Sequence, residues 1–153
     1  MYLTITKEFS FDIAHRLEGH EGLCNNVHGH TYKLFVSVRM KERKSETKDK
    51  SSKGMVYDFK NLKEIVKEVI VDKLDHGFVY NKDDLDSKSI AKVLEGQIKQ
   101  KTYAFPFRTT AENMARWMFF SLNDYFNENE INLECHKIKL YETPTSYAEF
   151  SPQ

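Results

Sequence analysis

The chain has 153 residues, with 23 Lys plus Arg and 23 Asp plus Glu, so its formal charge is zero. That length is most simply one domain with room for a real core. The charge balance offers no basic field to a nucleic acid, no apolar run has membrane length, and Met1-Tyr2-Leu3-Thr4 opens no signal-peptide pattern; a cytoplasmic protein with reduced Cys24 and Cys135 is expected.

Residues 2–15 alternate through Phe9, Phe11 and Ile13 and end on His15, the pattern of a half-buried strand. Residues 16–27 form a loop with Gly19, Gly22, Asn25 and Asn26. Residues 29–40 alternate again, Tyr32, Leu34, Val36 and Val38 against Lys33, Phe35, Ser37 and Arg39, which reads as a second strand. Residues 41–53 contain no apolar side chain and predict a mobile charged loop inside a single domain spanning 1–153. Met55–Phe59 reads as a third strand. Asp58 can cap a helix over 60–74, with Leu62, Ile65, Val66, Val69 and Ile70 as its apolar stripe and Gly77 as its terminator.

Residues 78–109 carry the weakest pattern. Ile90, Val93, Leu94 and Ile98 suggest a helix over 87–100, and Pro106 favours an extended 103–107. Thr109-x-x-Glu112 matches a capping box for a second long helix, with Met114, Trp117, Met118 and Leu122 inward. Residues 133–142 alternate as a strand, and 146–150 can add a last one. This order is α+β: an antiparallel sheet with two long helices on one face, its other face covered or oligomeric.

The chemistry concentrates in Cys24-Asn25-Asn26-Val27-His28-Gly29-His30. Residues two apart on a strand share a face, so His28 and His30 point together, and a hairpin brings His15 beside them. Three imidazoles without a carboxylate suit zinc and leave a fourth position open. The spacing leaves two alternatives open: Cys24 as a fourth ligand in a closed structural site, or His20 replacing one histidine. Asp75-His76 sets an imidazole next to a carboxylate, although both residue types also suit a helix end. Glu142 shares a strand face with Ile138 and Leu140, where a carboxylate is costly unless paired; an exposed strand-end Glu is the bland alternative.

These motifs, in the order His15, Cys24-x-x-x-His28-Gly29-His30, Leu74-Asp75-His76, Thr110-Ala111-Glu112-Asn113, Tyr141-Glu142-Thr143, resemble those of the 6-pyruvoyltetrahydropterin synthase superfamily over about residues 3–150. The resemblance implies the tunnelling fold (T-fold), in which trimers close their sheets into a barrel and two trimers stack, so a homo-oligomer is expected. It implies Zn2+ on His15, His28 and His30, and Cys24, Asp75 and His76 as proton-shuttling partners. It implies Glu142 as anchor of a pterin and member of the relay, with Thr110 and Glu112 near the ring. The implied partner is a small-molecule pterin, 7,8-dihydroneopterin triphosphate, with no nucleic acid and no membrane. The three residues between Cys24 and His28 resemble the bacterial 6-carboxytetrahydropterin synthases of queuosine biosynthesis. A 6-pyruvoyl product, or a non-catalytic zinc- or pterin-binding protein on the same fold, are the alternatives. Arg108-Thr109 departs from the Asn-Pro that relatives often carry before the Thr.

Overall fold

A computed structural model describes residues 3–42 and 51–152, so the centre of the expected charged loop, 43–50, lies outside the described residues. Strands β1 (Thr4–His15) and β2 (His28–Met40) form a long antiparallel hairpin in which His15 stands opposite His28. Their inward residues, Phe9, Phe11 and Ile13 on one and Tyr32, Leu34, Val36 and Val38 on the other, are buried as the alternation predicts.

The chain then enters α1 (Phe59–Val66), passes through a π turn at Lys67–Val71, and closes in the short α2 (Asp72–Leu74). After it come β3 (Gly77–Asn81), α3 (Leu85–Ile98), β4 (Thr102–Phe105), α4 (Ala111–Glu128), β5 (Leu133–Thr143) and β6 (Ser146–Phe150). The six strands lie in the order β4-β3-β1-β2-β5-β6. The sheet is mixed, not antiparallel: β3 pairs in parallel with both β1 and β4. Parallel neighbours need a crossover, which α3 supplies between β3 and β4.

The expected strand at Met55–Phe59 does not form. Asp58 N-caps α1 instead, its carboxylate accepting from Lys60 N and Asn61 N at 2.8 and 3.0 Å, and this fixes the segment as a helix entry. The third strand is β3, whose Gly-Phe-Val-Tyr-Asn run has no alternation because its first three residues are all buried. The helix before it does not end on Gly77. His76 takes the left-handed conformation, φ 59°, while Gly77 opens β3 at a point where a Cβ would stand 2.7 Å from Leu74 O.

The helices pack on one sheet face through Leu62, Val66, Ile70 and Leu74, and through Met114, Met118, Leu122 and Phe126 of α4. The other face, expected to be covered or oligomeric, is exposed in the single chain, with Glu8, Ser10, Asp12, Thr31 and Lys33 along it. Strand β5 carries a bulge, since Ser37 pairs with Lys137 but Val38 with Cys135. The extra residue, His136, shifts the phase, so that Leu133 and Cys135 face the core before it and Ile138 and Leu140 after it. Glu142 thereby stays in phase with Ile138 and Leu140. At the start of α4 the cap is Thr110, whose hydroxyl accepts from Asn113 N at 3.3 Å, not Thr109. Glu112 is then the second helical residue and is exposed, so no reciprocal capping box forms with Thr109.

Candidate metal centre

The candidate metal centre extends the core stripes of β1 and β2. Phe9, Phe11, Ile13 and His15 share one face of β1; His28, His30, Tyr32 and Leu34 share the matching face of β2. The hairpin register therefore delivers three imidazoles to the end of an apolar stripe. Their ring centroids lie 4.8 Å (His15–His28), 5.4 Å (His15–His30) and 4.8 Å (His28–His30) apart. One nitrogen from each falls within 4.8 Å of the other two, close enough to hold one metal ion.

Hydrogen bonding sets the two tautomers that matter most. His15 Nδ1 donates to Thr109 O at 3.0 Å, with Thr109 Oγ1 at 3.2 Å. His28 Nδ1 donates to Asn26 O at 2.7 Å. A carbonyl can only accept, so the proton sits on Nδ1 and the Nε2 lone pair is free for a metal. The Nε2 atoms of His15, His28 and His30 are all buried and without a hydrogen-bond partner. A buried polar atom left without a partner is costly; three converging ones fit a bound cation. Burial, aided by His28, pushes His15 down to about 4. Burial likewise lowers His30, although Glu142 opposes it. Burial thus disfavours the protonated forms of His15 and His30, in the direction that metal binding requires.

Neither alternative ligand joins the cluster. Cys24 is half-buried on the short 3-10 turn Leu23–Asn25 and is not among the clustered donors. His20 is exposed, and its Nδ1 accepts from Gly22 N at 2.8 Å. Glu142 stands beside the cluster, its Oε1 3.6 Å from His30 Nε2.

Tyr32, which the alternation marks only as core, belongs to this site. Its hydroxyl donates to Glu142 Oε2 at 3.4 Å, and its ring meets His30 edge-on at 5.8 Å. Burial, then the Glu142 carboxylate, pushes the phenol well above its ordinary range. Thr109 is the other residue that sequence reasoning passed over, having read it as a cap. Its departure from the helix cap by one residue is what frees its carbonyl for His15.

Two clefts flank the segment Gly29–His30–Thr31. One, about 630 Å³, has Glu142, Lys33, Phe35 and Tyr141 in its wall. The other, about 560 Å³, has Asp12, His76 and Phe78. Asp75 and His76 touch, Oδ1 to Nδ1 at 2.9 Å. Asp75 also accepts from Asp12 N at 3.0 Å, and His76 N donates to Asp12 O at 2.7 Å, so β1 holds the pair from both sides. Against a desolvation that raises it, the Asp12 hydrogen bond and the His76 imidazole hold the Asp75 carboxyl below its usual value. Thr110 and Glu112, at the N-terminus of α4, line neither cleft. The single chain thus unites His15, His28, His30, Tyr32 and Glu142, and keeps Asp75–His76 in an adjoining cleft.

Comparison with known proteins places the chain in a family. Residues 4–153 match the family described as 6-pyruvoyl tetrahydropterin synthase. The chain is 47% identical over 146 residues to the 6-carboxy-5,6,7,8-tetrahydropterin synthase of Haemophilus influenzae, covering 95% of this chain and 96% of that one. Among solved structures, an uncharacterized protein from Wolinella succinogenes superposes with a TM-score of 0.73 at 22% identity, covering 100% of this chain and 99% of the other. The 6-pyruvoyl tetrahydropterin synthase of Caenorhabditis elegans does so with 0.64 at 26% identity, covering 100% and 97%.

Proposed function

We propose, since the chain belongs to the 6-pyruvoyl tetrahydropterin synthase family, that it converts 7,8-dihydroneopterin triphosphate and one water into 6-carboxy-5,6,7,8-tetrahydropterin, acetaldehyde and triphosphate, a step of queuosine biosynthesis. The observation that carries the enzymatic reading is the trio of buried, partnerless Nε2 atoms. An all-nitrogen set of imidazoles suits zinc better than magnesium or calcium, which prefer oxygen. His15, His28 and His30 hold it, with Thr109 and Asn26 carbonyls fixing two of the rings. Bound there, zinc supplies Lewis acidity to the hydroxyls of the substrate's three-carbon side chain.

The remaining roles fall to this chain's own groups. Glu142 receives the two-donor edge of the pterin ring, with Tyr32 holding one carboxylate oxygen. Cys24 and the Asp75–His76 pair take and return protons between side chain and ring; the carboxylate orients the imidazole through its 2.9 Å contact. Thr110 and Glu112 complete the ring's surroundings at the start of α4. The working form is a cytoplasmic homo-oligomer, a trimer or two stacked trimers. The described residues contain no helix long and apolar enough to cross a membrane.

The test is a product assay. Zinc-loaded protein with 7,8-dihydroneopterin triphosphate is expected to release acetaldehyde in step with a 6-carboxypterin. A pyruvoyl product without acetaldehyde overturns the carboxy assignment and keeps the metal site. Bound zinc and pterin with no turnover of either kind overturns the enzymatic reading.

A further inference from the structure

Arg16 follows the ligand His15 and is nearly enclosed, its side chain 14% exposed. Its guanidinium spends its donors on two residues. Nε donates to Asn25 O at 2.9 Å and Nη2 to Asn25 Oδ1 at 2.6 Å. Nη1 donates to Asp84 Oδ2 at 2.8 Å. Asp84 is itself fixed: it caps α3, accepting from Ser87 N at 3.2 Å and from the Ser87 hydroxyl. The same loop is closed from the other side, where Leu17 N donates to Cys24 O at 2.7 Å. Glu18, further along, accepts from Asn81 Nδ2 at 2.8 Å.

Asn25 is the residue immediately after Cys24, on the same 3-10 turn. Gripping both its carbonyl and its amide oxygen leaves the Leu23–Asn25 turn little freedom to rotate. A guanidinium fork can make these contacts together with the bond to Asp84; an ammonium cannot. We infer that Arg16 is a positioning residue for the Cys24 thiol, its fork on Asn25 and Asp84 locking the thiol-bearing turn to the metal-ligand strand and to the capped end of α3. Arg16 touches no reacting atom. The inference rests on the role given to Cys24 above, and it concerns where that sulfur is held.

The experiment uses zinc-loaded full-length protein with Arg16→Lys, Asn25→Ala and the two combined. Because small misplacements of a reacting group are costly, Arg16→Lys is expected to lower kcat about 10- to 100-fold, with KM within about threefold and zinc retained. Combining it with Asn25→Ala is expected to cost less than the two losses added together, since both remove one contact. A second readout needs no substrate: alkylation of Cys24 by iodoacetamide, followed by peptide mass, is expected to run at least about threefold faster once the turn is released. A kcat within about twofold of wild type, fully additive losses, loss of zinc, or unchanged alkylation overturns the inference. If wild type turns nothing over, the functional reading falls, and the alkylation rates still decide the positioning. Should Arg16→Lys not fold, Asn25→Ala alone carries both measurements.

Discussion

His15 is sealed in the core at 0% exposure, while the side chain of His76 is 78% exposed. The two sites lie on either side of the same strand end, yet one is finished within the chain and the other is not. At the candidate metal centre, the backbone register and two of the tautomers are set by the chain itself. Two rings are pinned by carbonyls, and burial disfavours protonation of His15 and His30. The Asp75–His76 pair is fixed in its backbone, through Asp12 and a left-handed His76, while its imidazole stands in water. A non-glycine residue held at positive φ is a cost the surrounding structure must sustain. The difference separates two tasks. On the roles proposed above, the metal site gains from rigidity and desolvation, whereas His76 as a proton carrier must reach substrate and solvent in turn.

Substitutions can break that contrast from either side. His30→Ala removes one ligand of three and, on this account, the metal with it: zinc content measured after gel filtration should fall below about a tenth of wild type, and turnover by about 10⁴-fold or more. Retention of stoichiometric zinc would show that the cluster is not the metal site. His76→Ala should leave zinc untouched and lower kcat about 10²- to 10³-fold, the range of a lost general acid–base group. Equal losses of zinc in both variants would erase the distinction between the sites.

Acid sharpens the same contrast. His15 titrates near 4 in the folded chain against 6.5 for the free imidazole. The unfolded state therefore binds more protons between those values, and stability rises with pH across that window. The contribution is fully present above about 6.5 and lost as pH falls toward 4; for the metal-free protein it amounts to about 3 kcal/mol. Urea unfolding of metal-free protein at pH 7 and pH 4.5 reads it directly. His15→Gln should flatten this dependence, and a slope unchanged by that substitution would dissociate the pH effect from His15.

Much of the site was written in local pattern, and what was missed follows from physics that pattern does not carry. The His15/His28/His30 convergence was legible because a strand has a strict two-residue repeat and the histidines fall in phase with Ile13 and Tyr32. Glu142 was legible for the same reason, even though the bulge at His136 hides in the alternation as an apparently unbroken strand. Strand β3 was not legible: its inner residues are buried regardless of side, so Gly77–Asn81 lacks a period, and its parallel pairing depends on partners far away in sequence. The parallel edge made the sheet mixed where alternation alone suggested antiparallel. Thr109 was misread because two threonines in a row offer two possible caps, and the choice between them is made by His15, 94 residues away.

That choice gives the finest of the expected effects. Thr109 is completely buried, and it meets His15 Nδ1 through both its carbonyl and its hydroxyl. Thr109→Val keeps the shape and the carbonyl and deletes only the hydroxyl, which also reaches Arg16 O at 3.5 Å. The Nδ1 proton still has its acceptor, so the tautomer survives and the ring is held less firmly. Zinc affinity, measured by competition with a chromophoric chelator, should fall about tenfold, the lower end of the cost of losing a partner behind a metal-bound histidine. The His76 cleft should not respond, and kcat at saturating zinc should stay within about twofold of wild type. A larger fall in kcat at full zinc occupancy would show that ring orientation at His15, beyond metal retention, governs the reaction.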